Sequence, residues 1–248
     1  MHISTLGKLA RSIRVLRKKE FIRNFLYASE VTRGFNSKFE ISFSQGGEDL
    51  ALLSIMNKTE MGSYIDIGAH HPSRFSNTRH LYERGWRGVN IDADEELLAS
   101  FLTERPLDIN ICAAIGCQKS YVLNVFDEKL VSTVNKEKID FEISIGRKII
   151  SERKVEGIPL RKILDQYFPS TRVTFISIDI EGSDFDALMS INFDTLEKHR
   201  FPEYLVLETF PPLENALNTP AVKLAMSKGY QVLNVLPLST ILKAPIPR

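Results

Sequence analysis

The chain of 248 residues has few of the features that mark several common protein classes. Its two cysteines, Cys112 and Cys117, are too few for a disulfide framework and form no zinc-binding pattern. We expect two free thiols, with Cys112 in a buried strand. No uncharged apolar run approaches the roughly 18 residues that cross a bilayer, and the N-terminus lacks the apolar segment of a secretory signal. The sequence therefore predicts a cytoplasmic protein.

The glycine motifs of the commonest nucleotide-dependent enzymes are also missing. There is neither a Walker lysine motif nor a G-x-S-x-G elbow, which argues against phosphate transfer and serine hydrolysis. The turn at Gly68 lacks the further glycines of a dinucleotide fingerprint. A nicotinamide-dependent oxidoreductase is therefore a disfavoured alternative.

Charge is distributed unevenly along the chain. The net charge of +1 combines +6 in residues 1–33 with −5 in the remainder. Apolar residues recur there at steps of three and four, which predicts a basic amphipathic helical segment over residues 1–38. This segment could make peripheral contact with the inner face of an anionic membrane, or it could pack on its own domain with its basic side in solvent. The net negative remainder argues against a nucleic-acid partner.

From residue 39 to 248 the pattern of apolar runs and helical periodicity predicts one α/β domain. Strands alternate with helices, which implies right-handed crossovers and a parallel sheet. Residues 118–158 break this alternation, and we interpret them as an insertion near the mouth of the site. The predicted strands cover residues 63–67, 87–92, 109–115, 173–180, 204–208 and 230–235.

Acidic residues close four of the predicted strands, namely Asp66, Asp92, Asp179 and Glu208. Ligands of open α/β sheets bind beyond the carboxyl ends of the strands, so these side chains are candidate site residues. Asp92 follows Gly68 by 24 residues, a spacing typical of an acid that accepts hydrogen bonds from ribose hydroxyls. One glycine turn without phosphate-binding glycines fits a ligand with a nucleoside and no phosphates, such as S-adenosylmethionine. Each acid could instead cap a helix or form a salt bridge.

Two further groups of side chains are candidates for chemistry. Asp179 and Glu181 could accept the proton of an attacking hydroxyl, orient a sugar, or hold a divalent cation together with Glu208. Glu181 could also be an ordinary surface acid. The adjacent His70 and His71 have no third metal ligand at a telling spacing, so loop hydrogen bonding or a general-base role is favoured over metal binding.

Several of these segments together resemble the FkbM family of S-adenosylmethionine-dependent methyltransferases. The resemblance covers about residues 42–210 and implies a Rossmann-like class I methyltransferase fold, with helices on both faces of a mostly parallel seven-stranded sheet. It also implies O-methylation, often of sugars in glycans or secondary metabolites. The matching segments are residues 43–49, 64–69, 76–78, 85–92 and 178–182, with a leader helix at 159–165.

By position, the resemblance also implies roles for individual residues. Asp92 would bind the ribose hydroxyls, and Gln45 and Asn77 would close the cofactor pocket. One departure is the run from His70 to Pro72, where many methyltransferases have a further small residue. The residues implied to line the methionine part are Asp66, Gly68 and Ala69, with His70 beside them, and those implied to lie near adenine are Ala113 and Ala114.

For catalysis we expect Asp179 or Glu181 to orient or deprotonate the acceptor, with His70 as a rival base. The partner would be a small-molecule or glycan acceptor, and a divalent metal and an oligomeric state are left open. The main alternative is a catalytically inactive nucleoside-binding domain that acts as an adaptor at a membrane surface.

Overall fold

A computed structural model describes residues 41–56, 61–209 and 213–245 of the chain. The predicted basic helical segment over residues 1–38 lies outside these residues. No helix in the described ranges combines the length and the apolar character that crossing a membrane requires. The described residues from Ser42 onward belong to one compact unit.

The described residues form a central sheet of seven strands and a smaller sheet of three. In chain order the strands are β1 (Ser63–Ile67), β2 (Arg87–Asp92), β3 (Ile109–Cys112), β4 (Ala114–Ile115), β5 (Ser120–Phe126), β6 (Ile149–Ile158), β7 (Phe175–Ile178), β8 (Tyr204–Glu208), β9 (Gln231–Val235) and β10 (Ser239–Lys243). The central order is β3-β2-β1-β7-β8-β10-β9. β10 runs antiparallel to both its neighbours, whereas the other adjacent pairs are parallel. The mostly parallel seven-stranded sheet is thus confirmed.

Helices cover both faces of the central sheet, as predicted. The α-helices of the described residues are α1 (Glu48–Ile55), α2 (Arg79–Glu83), α3 (Glu95–Leu98), α4 (Phe101–Glu104), α5 (Lys136–Ser144), α6 (Leu160–Tyr167), α7 (Asp184–Met189) and α8 (Pro220–Ser227), of which α5 lies in the insertion. One core cluster joins Ile65 and Ile67 of β1 to buried residues of α6, α7 and α8. A second core cluster joins Tyr64 of β1 to buried residues of α1 and α2. Successive side chains of a strand point to opposite faces, so Asp66 lies on the same face as Tyr64.

The predicted insertion at 118–158 contains a long antiparallel strand pair. β5 pairs with β6 along its whole length, and β6 also pairs with β4, so the small sheet has the order β4-β6-β5. A short 3-10 helix at Lys129–Val131 and helix α5 lie between β5 and β6. This strand pair is not evident from the sequence, because half-exposed β6 alternates charged and apolar residues without a continuous apolar run.

Two boundaries differ from the sequence prediction. The strand predicted over residues 109–115 is two strands in different sheets, because the Ala113 N–H bonds to the Asp92 carbonyl before Ala114 turns to β6. β3 is an edge strand, so Cys112 is exposed rather than buried, although both cysteines are free as expected. β10 was not identified as a separate strand. Its pairing with β8 completes the seven-stranded sheet.

Candidate active site

A cavity lies beyond the carboxyl ends of β1, β2 and β7 and has a volume of about 960 Å³, including its open mouth. We call it the first cavity. Side chains from the insertion, among them Leu130 and Thr133, form part of its wall. The predicted site residues that line it are Gln45, Gly68, His70, Asp92, Ala113, Ala114, Asp179 and Glu181.

Gly68 is required at the turn after β1 for two reasons. Its φ of +80° lies in the left-handed region, which disfavours residues with a side chain. A Cβ at this position would also collide with the carbonyl oxygen of Asp179. The sequence interpretation explained this glycine by close approach of a ligand. The structure shows that the turn must also lie against the end of β7.

Asp92 is held at the edge of the first cavity by two backbone donors. The His70 N–H donates to Oδ2 at 2.9 Å and the Asp94 N–H donates to Oδ1 at 2.8 Å. Each carboxylate oxygen can accept a further hydrogen bond, so the group can receive two neighbouring hydroxyls. Burial raises the pKa of Asp92 to about 6, against the opposing effect of these hydrogen bonds.

His70 and His71 have different surroundings. His70 has a φ of +51°, lines the first cavity, and has a buried Nε2 without a hydrogen-bond partner among the described residues. Burial, followed by the charge of Arg74, lowers the pKa of its imidazole. The Nδ1 of His71 accepts the backbone N–H groups of Ser73 and Arg74 at 3.1 and 3.0 Å. His71 therefore shapes the loop, and His70 presents a free ring nitrogen.

A second cavity of about 300 Å³ adjoins the first. Gln45, Phe75 and Asp179 line both cavities, so these side chains lie where the two spaces meet. Phe75 has a φ of +59°, which is uncommon for a bulky residue. The remaining lining is largely polar and comprises Glu48, Asn77, Ser177, Glu208 and Ser239 together with Ile178, Val206 and Leu238.

The loop before α1 brings Gln45 to both cavities. The Asp49 carboxylate accepts hydrogen bonds from the Ser42 and Ser44 hydroxyls and from the Phe43 N–H, at 2.7 to 2.8 Å. Glu48 accepts the Ser239 hydroxyl at 2.8 Å, which ties the loop to β10. Both acids lie in the first turn of α1. Their hydrogen bonds organise the loop.

Three acids from the ends of β7 and β8 converge beside the second cavity. One carboxylate oxygen each from Asp179, Glu181 and Glu208 lies within 4.8 Å of the others. Asp179 is open to the cavity, and desolvation by the protein around it, followed by the charge of Glu208, raises the pKa of its carboxyl well above the usual range. Burial, followed by the charge of Asp184, raises the pKa of Glu208 to about 8. The structure therefore joins the acids that sequence reasoning suggested as a group.

The insertion holds the turn that carries Glu181. The Thr133 hydroxyl donates to the Glu181 carbonyl at 2.9 Å, and the Asn135 amide donates to the Gly182 carbonyl at 2.8 Å. Lys138 Nζ lies 2.9 Å from Glu181 Oε2. Sequence reasoning missed these three residues, because they are about 45 positions from the acids they contact and form no motif with them.

Asp66 and Ala69 are not among the described residues that line either cavity. The Asp66 carboxylate accepts the Thr78 hydroxyl at 2.6 Å, and the fully buried Arg105 donates to the same hydroxyl at 2.9 Å. Asp66 thus belongs to a buried polar network on the α2 face of the sheet, and its implied cofactor contact stays a prediction. Asn77 lines the second cavity and donates to the Ser177 hydroxyl at 2.9 Å.

The strand order, with one antiparallel strand beside β8, and the cavity at the carboxyl edge define a class I methyltransferase fold. The family model of the methyltransferase FkbM domain matches residues 66–232. The chain therefore belongs to the FkbM methyltransferase family. Membership in this family supports S-adenosylmethionine as the cofactor.

Solved structures of other methyltransferases are distantly similar. A TehB-like S-adenosylmethionine-dependent methyltransferase from Corynebacterium glutamicum is 11% identical, with a TM-score of 0.41 over 90% of this chain and 97% of that one. Aeropyrum pernix fibrillarin with bound S-adenosylmethionine is 10% identical, with a TM-score of 0.45 over 80% and 73%. A Bacillus cereus O-methyltransferase is 12% identical, with a TM-score of 0.42 over 87% and 88%. No curated protein matches the sequence.

Proposed function

We propose that the protein is an S-adenosylmethionine-dependent O-methyltransferase that modifies a hydroxyl of a sugar, a glycan or a related metabolite. The observation that carries this proposal is the pair of adjoining cavities with Asp179 in the lining of both. The first cavity would hold the methyl donor, and the second would hold the acceptor.

The residues around the first cavity fit the proposed cofactor. Asp92 has free acceptor capacity for ribose hydroxyls, and the unpartnered Nε2 of His70 offers a ligand one further polar contact. Ala113 and Leu97 supply apolar surface for a base. When bound, S-adenosylmethionine supplies a methyl carbon that the acceptor oxygen attacks while the electron pair of the carbon–sulfur bond moves to sulfur.

The chain itself must align the acceptor oxygen and receive its proton. An attacking atom has to lie about 3 to 3.5 Å from the carbon it attacks. We assign the orienting and proton-accepting role to Asp179, because it lines both cavities and because desolvation raises the pKa of its carboxyl, which makes the carboxylate a stronger base. Glu181 is engaged by Lys138 and lines the first cavity, and His70 is the rival base.

The polarity of the second cavity supports a hydroxylated acceptor. Its lining offers carboxylates from Glu48 and Glu208, an amide from Asn77, and hydroxyls from Ser177 and Ser239. Such groups can bond several hydroxyls of a saturated ring, whereas an aromatic acceptor would be favoured by an apolar lining. A sugar or a related polyol is therefore the acceptor class that we favour.

The test is a methyl-transfer assay that measures S-adenosylhomocysteine release over a panel of monosaccharides, nucleotide sugars, oligosaccharides and catechol. We expect turnover with one of the saturated hydroxylated acceptors. Asp179→Asn should abolish it while calorimetric affinity for S-adenosylmethionine stays within a few-fold. Asp165→Asn is the matched control, because Asp165 is a surface acid paired with Arg161 and Arg200. Wild-type turnover in Asp179→Asn would overturn the assignment.

The alternative function, a catalytically inactive adaptor, predicts a different result in the same assay. It would bind S-adenosylmethionine without turnover of any acceptor. Joint presence of Asp92, Asp179 and Glu181 around the cavities favours the enzyme.

We further propose a cytoplasmic location with peripheral membrane contact through residues 1–33. The support for this contact is their net charge of +6, since basic residues are attracted to anionic headgroups. Deletion of residues 1–33 should weaken binding to phosphatidylserine vesicles, and added salt should reduce the difference. Unchanged vesicle binding after the deletion would contradict this part of the proposal.

A further inference from the structure

The acids at the ends of β7 and β8 have the spacing of a cation site. Oxygens of Asp179, Glu181 and Glu208 lie within 4.8 Å of one another. Two oxygens on opposite sides of a hard divalent cation lie about 4 to 5 Å apart, because each bond is about 2.0 to 2.6 Å long. The three carboxylates can therefore reach one ion without movement of the strands.

A fourth carboxylate, that of Asp184 at the start of α7, lies next to this group. Only 7% of Asp184 is exposed, and its Oδ1 has no hydrogen-bond partner among the described residues. Asp184 is the charged group that acts most strongly on Glu208, and Asp179 is the one that acts most strongly on Asp184. A buried carboxylate oxygen without a partner is costly, so it points to a positive ligand in this place.

The lysines and arginines of the described residues do not balance this charge. Within the described ranges, Asp179, Asp184 and Glu208 form no ion pair with a lysine or an arginine, and Lys138 contacts Glu181 at 2.9 Å but also Glu142 at 3.3 Å. In the described part of the chain, one ammonium group, that of Lys138, is thus shared among these acids and Glu142. Buried charges are normally paired or coordinate a metal.

We propose that Asp179, Glu181 and Glu208 bind one divalent cation, Mg²⁺ or Mn²⁺, at the junction of the two cavities, with Asp184 beside it. The ligands are all carboxylate oxygens, which suit these hard cations better than Zn²⁺. Glu181 lines the first cavity, Glu208 lines the second and Asp179 lines both, so the ion lies between donor and acceptor.

The role of this cation in catalysis rests on the proposed function. A cation at the junction would take an acceptor hydroxyl as a further ligand and make that hydroxyl more acidic. An acceptor with two neighbouring oxygen atoms, such as vicinal hydroxyls, could chelate the ion. The acceptor class is then narrowed to compounds with adjacent oxygens.

The test measures Mn²⁺ binding to the full chain after chelator treatment, by the loss of the free Mn²⁺ signal in electron paramagnetic resonance. We expect one site per chain, displacement by Mg²⁺, and at least tenfold weaker binding in Asp179→Asn and in Glu208→Gln. The matched controls are Asp165→Asn and Glu197→Gln, which remove carboxylates of exposed ion pairs and should stay within twofold of wild type.

Thermal unfolding of the wild type gives a second readout that needs no variant. Mn²⁺ should raise the melting temperature, since a ligand that binds only the folded chain stabilises it. The absence of a saturable Mn²⁺ site, or wild-type Mn²⁺ affinity in both Asp179→Asn and Glu208→Gln, would overturn the proposed cation site. Calorimetry with S-adenosylmethionine on the same samples separates the two proposals. If the cofactor binds but Mn²⁺ does not, only the proposed cation site is ruled out. If the cofactor does not bind, the proposed function is ruled out.

Discussion

The acid at the end of β2 and the acids at the ends of β7 and β8 lie around the same crevice, but the groups that contact their carboxylates differ. Both oxygens of Asp92 are held by backbone N–H groups, so it is oriented in advance for neutral hydroxyls. Asp179 and Glu208 lie among other acids, and their pKa values are raised by burial and by like charge. Asp92 is therefore oriented to bind a ligand, whereas Asp179 and Glu208 require a proton or a cation to reduce the repulsion between their charges.

The difference shows how one sheet edge can support two tasks. Backbone donors stabilise a single carboxylate at a fixed angle, which suits recognition of a constant group such as ribose. In a cluster of carboxylates the neighbouring negative charges favour the uptake of a proton, which suits a step in which a proton leaves an acceptor. The Gly68 turn joins the regions, because it follows β1 and lies against the Asp179 carbonyl.

The largest expected effect comes from breaking that junction with Gly68→Ala. The new methyl group would collide with the Asp179 backbone and would force alanine into the left-handed region. We expect a loss of about 3 to 5 kcal/mol in the free energy of unfolding, measured by chemical denaturation. Gly146→Ala is the control, since Gly146 has a φ of +95° with open space around it and should lose only about 1 to 2 kcal/mol. Equal losses would show that contact with β7 is unimportant.

The second prediction separates cofactor recognition from acceptor chemistry. Asp92→Ala removes a charged acceptor of the proposed ribose hydrogen bonds, so calorimetry should give about 100-fold weaker S-adenosylmethionine binding, or about 2.7 kcal/mol. Glu208→Gln should change this affinity by only a few-fold, because Glu208 lines the second cavity alone. Equal weakening of cofactor binding by the two substitutions would contradict the assignment of Asp92 to the cofactor and of Glu208 to the acceptor.

The third prediction concerns pH and the single acid Asp92. Its folded pKa of about 6 is above the value of about 3.9 in an unfolded chain, so its folded form favours the protonated state. Its contribution to stability is therefore full below pH 4 and is lost as the pH rises through 6. The ligand-free wild type should lose about 2 kcal/mol over this window relative to Asp92→Asn, measured by urea denaturation. A constant difference between the two proteins would contradict the raised pKa.

The smallest expected effect is that of Lys138→Met. This change removes the ammonium group that contacts Glu181 and Glu142, and we expect a loss of about 1 kcal/mol in chelator. Saturating Mn²⁺ should reduce the loss, because a cation at the cluster replaces part of the missing charge. Lys228→Met, which removes a surface pair with Asp194, is the control and should not respond to Mn²⁺. An identical Mn²⁺ response in both variants would argue against charge imbalance at the cluster.

The amino-acid sequence by itself determined the alternating fold and the places of the strand-end acids. Runs such as residues 63–67 and 204–208 are apolar because their strands are buried between helices on both faces, and this pattern is local. The carboxyl ends of parallel strands meet at one edge, so the positions of Asp92 and Asp179 were also predictable.

Only the tertiary structure decided which of these acids face the cavities. Asp66 ends a strand like the others, but its side chain points to the face where Thr78 and Arg105 form a buried network. The support of Glu181 by the insertion and the approach of Glu208 to Asp179 depend on pairs far apart in the chain. Local patterns specify strands and turns, whereas side-chain direction and charge balance at the site arise from contacts between distant segments.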